Sequence, residues 1–235
     1  AKAMLLTNNS EKKSQEKSFV NVKNLKRKVI NFGINAPKYN IKNLNRIFIK
    51  KFNFLKNKKY FIFLGRFHKK KGCDILIKSF KNILKKKNDI FLLMIGPHSY
   101  EKVKLKNLSN EYKLNDKIFW SKEITNDLKW IIMKKAQAMV LSSRGENFGV
   151  SLVESLSVGT PVITTSKVNI QNIIKKSNCG YIGNTNEKDF TKKMLKFINL
   201  KKYEKKKLKT NSLVCFNKYF NLKFNMNNFI NTLNK

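Results

Sequence analysis

Two glutamates lie eight residues apart in the stretch RGENFGVSLVE, residues 144–154. Glu146 and Glu154 are two of only 14 acidic residues in a chain that contains 51 Lys and Arg. A helix that begins near Phe148 or Gly149 would offer free N–H groups, which favour an anion such as phosphate. Because carboxylates repel phosphate, the two glutamates are better suited to accept hydrogen bonds from hydroxyl groups, one group on a sugar and one on a ribose.

A second motif, GRFHKKKG, occupies residues 65–72 directly after an apolar run. Gly65 permits a tight exit from a strand, and the guanidinium of Arg66 can form two hydrogen bonds with phosphate oxygens. Lys71 stands just before Gly72 and a helical stretch. The motif therefore predicts a cationic clamp for a diphosphate. The other lysines of this loop are expected to be solvated.

Short apolar runs alternate with amphipathic stretches from about residue 60 onward, and these elements must position both motifs. The predicted strands are residues 60–65, 90–95, 117–120, 138–142, 161–165 and 180–183. The predicted helices are residues 73–87, 99–113, 126–136, 149–158 and 169–176. This alternation predicts an α/β fold, a Rossmann-like doubly wound parallel sheet. Ligands of such sheets bind beyond the carboxyl ends of the strands, where both motifs fall.

The flanking segments have a different pattern. Residues 1–55 contain the apolar run AMLLT, a Lys-rich helical stretch, the segment KVINFGI and a predicted linker near NAPKYNIKN. From about residue 185 the pattern is helical again, and it ends in FNMNNFINTL, where apolar residues are spaced for one helix face. A helical tail is therefore expected after the sheet.

The formal net charge of +37 suggests binding to nucleic acid. However, only four of the 51 basic residues are Arg, the residue that base-reading sites favour. Abundant Lys, Asn, Ile and Phe are typical of an AT-rich coding sequence that fills surface positions with lysine. No specific nucleic-acid partner is predicted, although attraction to anionic surfaces is expected.

Three cysteines, Cys73, Cys179 and Cys215, lack the paired spacing of a disulfide framework or a zinc site. They are interpreted as buried thiols in a reducing cytosol. The longest apolar runs, YFIFLG and IFLLMIG, are too short to span a bilayer. The expected location is cytoplasmic, with a peripheral position at the inner membrane face as an option.

The strings GRFHKKKGCDILIKSF and SSRGENFGVSLVESLSVGTPVI resemble the donor-binding half of glycosyltransferase family 4, which has the GT-B fold. The resemblance implies a remnant of the N-terminal acceptor domain with its linker at residues 1–55. It places the nucleotide-sugar-binding domain at residues 56–200 and C-terminal helices at residues 201–235. By this comparison the chain is truncated, so it would transfer sugar poorly alone, and its last helices would expose apolar surface.

The resemblance also implies a retaining glycosyltransferase that uses a UDP-, GDP- or ADP-sugar and a glycan or lipid-linked acceptor. Arg66 and Lys71 would hold the diphosphate, Glu146 the transferred sugar, and Glu154 the ribose hydroxyls; the first three are the implied catalytic residues. The implied donor site consists of Gly65, Arg66, Lys71, Glu146, Asn147, Phe148, Gly149, Val150 and Glu154. No cofactor and no metal are expected, because stabilisation of the leaving group comes from cations and a helix N-terminus.

Several alternatives remain open. Paired carboxylates also suit a glycoside hydrolase, although a cationic clamp does not fit an enzyme of plain glycosides. A nucleotide-sugar epimerase or hydrolase of similar fold and a basic module for nucleic acid or anionic membrane are the other candidates. The loop WSKEI at residues 120–124 would lie beside the nucleotide base or be an ordinary strand exit. Gly96 is expected to permit a close approach, and His68 and His98 are interpreted as loop histidines.

Overall fold

The structure is a computed structural model of the 235-residue chain. It describes residues 3–6, 26–29, 33–38, 40–124, 127–223, 226 and 230. Within these ranges, no helix combines the length and apolar character that crossing a bilayer requires. Both sequence motifs fall inside the described ranges, so their relative placement is defined.

Six parallel strands form the central sheet. The strands of the described residues are β1 (Ala3–Leu6), β2 (Lys26–Val29), β3 (Lys59–Leu64), β4 (Ile90–Ile95), β5 (Ile118–Ser121), β6 (Ala138–Leu141), β7 (Val162–Thr165) and β8 (Gly180–Gly183). β1 and β2 pair with each other in a separate parallel sheet, and the remaining six follow the order β5-β4-β3-β6-β7-β8. The predicted parallel α/β class is therefore confirmed, with strand limits that differ from the prediction by at most one residue.

The helices that the structure describes pack as two layers, one on each face of this sheet. They are α1 (Ile41–Lys51), α2 (Cys73–Leu84), α3 (Tyr100–Glu111), α4 (Leu128–Lys135), α5 (Val150–Ser157), α6 (Gln171–Lys176), α7 (Glu187–Ile198) and α8 (Lys202–Tyr219). α2 contacts α3 and α7 in one layer. In the other layer α4 contacts α1 and α5, and α8 contacts α5 and α6. Covering both faces explains why the strands are apolar without interruption.

The core lies between the sheet and these layers. Residues 61–63 of β3 are 0% exposed, and every residue of β6 and β7 is buried. Full burial of each large apolar side chain contributes about 1.5–3 kcal/mol to stability. Cys73, Cys179 and Cys215 are buried and free, which confirms the interpretation of three buried thiols.

The segment interpreted as a linker ends earlier than expected, because α1 begins within it at Ile41. The Asn40 side chain caps this helix by accepting hydrogen bonds from two backbone N–H groups at its start. Leu44 and Phe48, four residues apart, are buried, and α1 packs against α4. The Lys, Asn and Arg residues interspersed along α1 concealed the helical spacing.

The C-terminal helices are confirmed as α7 and α8, and the chain then returns to the N-terminal segment. The N–H of Ile34 donates to the carbonyl of Phe220 (2.9 Å), and the N–H of Leu222 donates to the carbonyl of Ile34 (3.0 Å). Val214 on α8 is 58% exposed. The Lys-rich stretch predicted within residues 1–55, and most of FNMNNFINTL, lie outside the described residues.

Candidate functional site

The strand order creates one topological switch point. After β3 the chain moves to β4 on one side, whereas after β6 it moves to β7 on the other side. The loops that leave the carboxyl ends of these two neighbouring strands therefore diverge and leave a crevice between them. Residues 65–72 form the first loop and residues 142–149 form the second, so the fold brings the two sequence motifs together.

A cleft of about 620 Å³ occupies this position. Its lining combines the two motif loops with residues that follow β4. The lining residues are Arg66, Phe67, His68, Lys70, Lys71, Pro97, His98, Ser99, Gly145 and Glu146. The cleft thus presents several cations and a single carboxylate to a ligand.

The first loop needs a glycine where it meets the second. Gly72 adopts a left-handed conformation (φ +65°), and a Cβ atom there would lie 2.0 Å from the carbonyl oxygen of Ser142. The Ser142 hydroxyl donates to the Gly72 carbonyl at 2.6 Å. This close approach positions Lys71, the preceding residue, against the second loop.

Further hydrogen bonds join the two loops through Lys70. The backbone N–H of Arg144 donates to the Lys70 carbonyl at 2.7 Å, and the Ser143 hydroxyl donates to the same carbonyl at 2.8 Å. The Arg144 guanidinium also binds Asp74 through both of its terminal nitrogens, at 2.7 and 2.6 Å. Partial burial acts to raise the pKa of the Asp74 carboxyl, but the Arg144 guanidinium outweighs this effect and the pKa is lowered.

Glu146 and Lys71 meet across the cleft as an ion pair. Both side chains are half-buried, with 17% and 25% of their surfaces exposed. The backbone of Glu146 is held on both sides, since its N–H donates to Lys167 (3.0 Å) and its carbonyl accepts from Asn169 (3.0 Å). The main chain that carries the Glu146 carboxylate is therefore held in place on both sides of this residue.

Helix α5 begins beside this pair. Gly149, its N-cap residue, has a left-handed conformation (φ +71°) that only glycine adopts without strain. Val150, the first helical residue, is exposed, and the first N–H groups of any helix lack partners within it. The sequence predicted a helix start here, and the structure places it one residue later than Gly149.

Phe148 and Asn147 support the second loop from its other side. The Phe148 ring is buried and packs edge-on against the Phe220 ring, with 5.8 Å between centroids. The Asn169 amide donates to the Asn147 side-chain oxygen at 2.8 Å. The residue that directly follows α8 therefore contacts the motif loop.

Glu154 lies apart from the residues that line the cleft. It is on the second turn of α5, where its Oε1 accepts a hydrogen bond from Lys129 Nζ at 2.6 Å. Only 14% of the Glu154 side chain is exposed. The structure thus pairs both glutamates of the motif with lysines, but on opposite sides of the helix start.

Sequence reasoning missed several residues of the cleft wall. Pro97 and Ser99 follow β4 and line the cleft, and the only available signal was Gly96 at the strand end. Gly96 does permit a close approach, since a Cβ atom there would lie 2.2 Å from the Gly65 carbonyl oxygen. His98, interpreted as a loop histidine, also lines the cleft.

Two further expectations concern the base and a metal. Trp120, which opens the WSKEI loop, packs on Phe67 with 5.6 Å between ring centroids, so this loop adjoins the cleft wall. The proximity of the WSKEI loop to a nucleotide base remains a prediction. Among the described residues, no group of three or more His, Cys, Asp or Glu side chains could hold a metal ion.

Comparison with known proteins gives consistent results. A family model described as "Glycosyl transferases group 1" matches residues 45–212. The α-1,3/1,6-mannosyltransferase ALG2 of Dictyostelium discoideum is 24% identical over 161 residues, which cover 62% of this chain and 38% of that protein. The chain spans less than half the length of the curated relatives it matches.

Two solved structures are similar over almost the whole chain. Sucrose-phosphate synthase from Thermosynechococcus elongatus has a TM-score of 0.85 at 19% identity, over 99% of this chain and 58% of that one. HepE from Anabaena, solved with UDP and glucose, has a TM-score of 0.83 at 13% identity, over 100% of this chain and 63% of that one. At these identities the similarity establishes the shared fold.

Proposed function

Because the chain belongs to the group 1 glycosyl transferases, we propose that it forms the donor-binding half of a retaining glycosyltransferase. The enzyme transfers a hexosyl group from a nucleoside diphosphate sugar to a glycan or lipid-linked acceptor. One observation carries the proposal: at the switch point, the cleft combines cations, one carboxylate and a helix N-terminus. Each of these features suits a different part of such a donor.

The cations and the helix N-terminus suit the diphosphate. Arg66 is exposed at the cleft wall, where its guanidinium can form two hydrogen bonds with phosphate oxygens. Lys71 and the first N–H groups of α5 add charge and donors from the other side. When the bond between sugar and diphosphate breaks, these groups of the chain stabilise the negative charge on the leaving group.

The carboxylates suit hydroxyl groups. Glu146 is paired with Lys71, and donor binding exchanges this pair for two new contacts. A phosphate oxygen then takes the place of Glu146 beside Lys71, and a sugar hydroxyl takes the place of Lys71 beside Glu146. Glu154 keeps Lys129 on one oxygen, and a carboxylate has further acceptor positions for a ribose hydroxyl.

The test is calorimetric titration of this chain with UDP, GDP and ADP, with inorganic pyrophosphate as the control, at physiological ionic strength. We expect one nucleoside diphosphate to bind more tightly than the other two and than pyrophosphate. Equal affinity for all four, lost as salt is added, would instead support the basic module that binds nucleic acid or anionic membrane. A product assay with the preferred nucleotide sugar and the full-length protein separates transfer from epimerisation or hydrolysis.

A further inference from the structure

Lys102 is buried beneath the cleft wall, in contrast to the many lysines on the surface. It is 6% exposed and is the only ionised side chain among the buried residues of the described ranges. Its Nζ donates to the carbonyl of Gly96 at 2.9 Å and to the carbonyl of Ser121 at 2.7 Å. Gly96 directly follows β4, and Ser121 is the last residue of β5. The ammonium group therefore joins the carboxyl ends of two neighbouring strands.

The same ammonium group also reaches the first motif loop. It lies 5.1 Å from the centroid of the Phe67 ring, within the range of a cation–π interaction. Phe67 follows Arg66 and lines the cleft. The Lys102 backbone N–H is capped by the Ser99 hydroxyl at 3.2 Å, and Ser99 also lines the cleft. Lys102 thus contacts the segments after β3 and β4, which line the cleft, and the end of β5, which pairs with β4 beside them.

No carboxylate pairs with Lys102 in the part of the chain that the structure describes. Burial lowers the pKa of its ammonium, and the nearby Lys106 and Lys122 lower it further. Burying a cation without a charged partner is costly, so carbonyl groups and the ring must hold it in one geometry. A stability role alone is a poor explanation, since an apolar residue would fill the same space at lower cost.

The two motif loops do not depend on this lysine for their mutual arrangement. Arg144 and Ser143 join them through Lys70, and Arg144 binds Asp74. By contrast, the direct backbone hydrogen bond between Gly96 and Ser121 is long, at 3.4 Å. Loss of Lys102 would therefore disturb the segments after β4 and β5 more than the diphosphate clamp.

We propose that Lys102 is a positioning residue for the nucleoside part of the donor, which it serves by fixing the segments after β4 and β5 against Phe67. The inference rests on the proposed function, because it assigns the nucleoside to the wall beside these segments and the diphosphate to the clamp. It predicts a change in ligand preference, which a purely structural residue would not produce.

The experiment is titration of wild type, Lys102→Met and Lys104→Met with the preferred nucleoside diphosphate and with pyrophosphate. Lys104 is an exposed lysine on the same helix, and its ammonium lies over the Tyr100 ring, so K104M is the matched control. In K102M we expect nucleoside diphosphate affinity to fall about tenfold and pyrophosphate affinity to change by about twofold or less. K104M should match wild type with both ligands.

Equal loss of affinity for both ligands, or no loss, would overturn the role of Lys102. Wild type with no preference for a nucleoside diphosphate over pyrophosphate would instead contradict the proposed function itself. Lys102→Gln retains an amide donor and is measured in parallel. If K102M does not fold, a lower ratio of nucleoside diphosphate to pyrophosphate affinity in K102Q supports the role, and an unchanged ratio rejects it.

Discussion

The amino edge of the central sheet, where its parallel strands begin, and the carboxyl edge, where they end, are both basic. The two regions are nevertheless built differently. At the amino edge, Lys59 and Asp89 form an ion pair of 2.8 Å in which each side chain is 63% exposed. At the carboxyl edge, the side chains of Lys71 and Glu146 are 25% and 17% exposed and lie between loops joined by several hydrogen bonds. An exposed pair is screened by water and contributes little, whereas a half-buried pair in a fixed frame interacts more strongly.

The direction of the helices is a second difference between the two edges. The carboxyl edge receives helix N-termini, such as that of α5 at Gly149, which attract anions. The amino edge receives helix C-termini, whose carbonyls attract cations, and Lys205 accordingly donates to the carbonyl of Ile198 at 2.9 Å. The cleft at the amino edge is also smaller, about 140 Å³. A positive charge alone therefore does not define an anion site; the surrounding donors and frame do.

The largest effect is expected from Gly72→Ala. Its Cβ atom would lie 2.0 Å from the Ser142 carbonyl oxygen in a left-handed conformation, so the two loops must separate. We expect the free energy of unfolding to fall by about 3 kcal/mol and nucleotide binding to be lost. Chemical denaturation measures the first effect. Gly145→Ala is the control, because no atom outside residues 144–146 lies within 4 Å of that Cβ position, and its stability should equal that of wild type.

A direct test of the two edges compares Lys71→Met with Lys59→Met. Each lysine has one carboxylate partner, but only Lys71 lines the cleft at the switch point. K71M is expected to weaken nucleoside diphosphate binding about tenfold, since it removes a charge-assisted hydrogen bond with phosphate. K59M should bind as wild type does. Equal weakening in both variants would mean that the overall positive charge of the protein, rather than the cleft at the switch point, holds the nucleotide.

A smaller effect is expected from Asp74→Asn, which removes the bidentate contact with Arg144. The Asp74 side chain is 37% exposed, so after solvent screening we expect a loss of about 1 kcal/mol of stability at neutral pH. Because the pKa of Asp74 is lowered in the folded state, its contribution is present above the ordinary value of 3.8 and disappears as the pH falls through the folded-state pKa. Denaturation curves of wild type and D74N should therefore converge in acid. A difference that persists at low pH would assign the effect to packing.

Much of the fold could be predicted from the sequence, because buried parallel strands such as residues 61–63 are apolar without interruption. The strand order could not be predicted, because it depends on which strands pair although they are far apart in the sequence. The helix α1 was missed because polar residues interrupt its apolar positions, of which only Leu44 and Phe48 are buried. Local spacing therefore identified elements better than it identified their neighbours.

For the candidate site, too, the sequence predicted some features and not others. The sequence predicted which residues of the two motifs carry charge, and the structure brings Lys71 and Glu146 into contact. The sequence could not predict that Arg144 binds Asp74, because these residues are 70 positions apart. It also gave no signal for Lys102, which looks like any other lysine of this chain until its burial is known. Roles that depend on burial require the structure.

The most direct test of the central claim is the ratio of affinities for the nucleotide sugar and its nucleoside diphosphate, measured in wild type and Glu146→Gln. If Lys71 serves the diphosphate and Glu146 the sugar, E146Q releases Lys71 from its ion pair. Binding of the nucleoside diphosphate should then be equal or tighter, and the preference for the nucleotide sugar should fall by about fivefold or more. If E146Q instead weakens both ligands equally, the carboxylate only holds the loop, and the division of roles within the cleft is wrong.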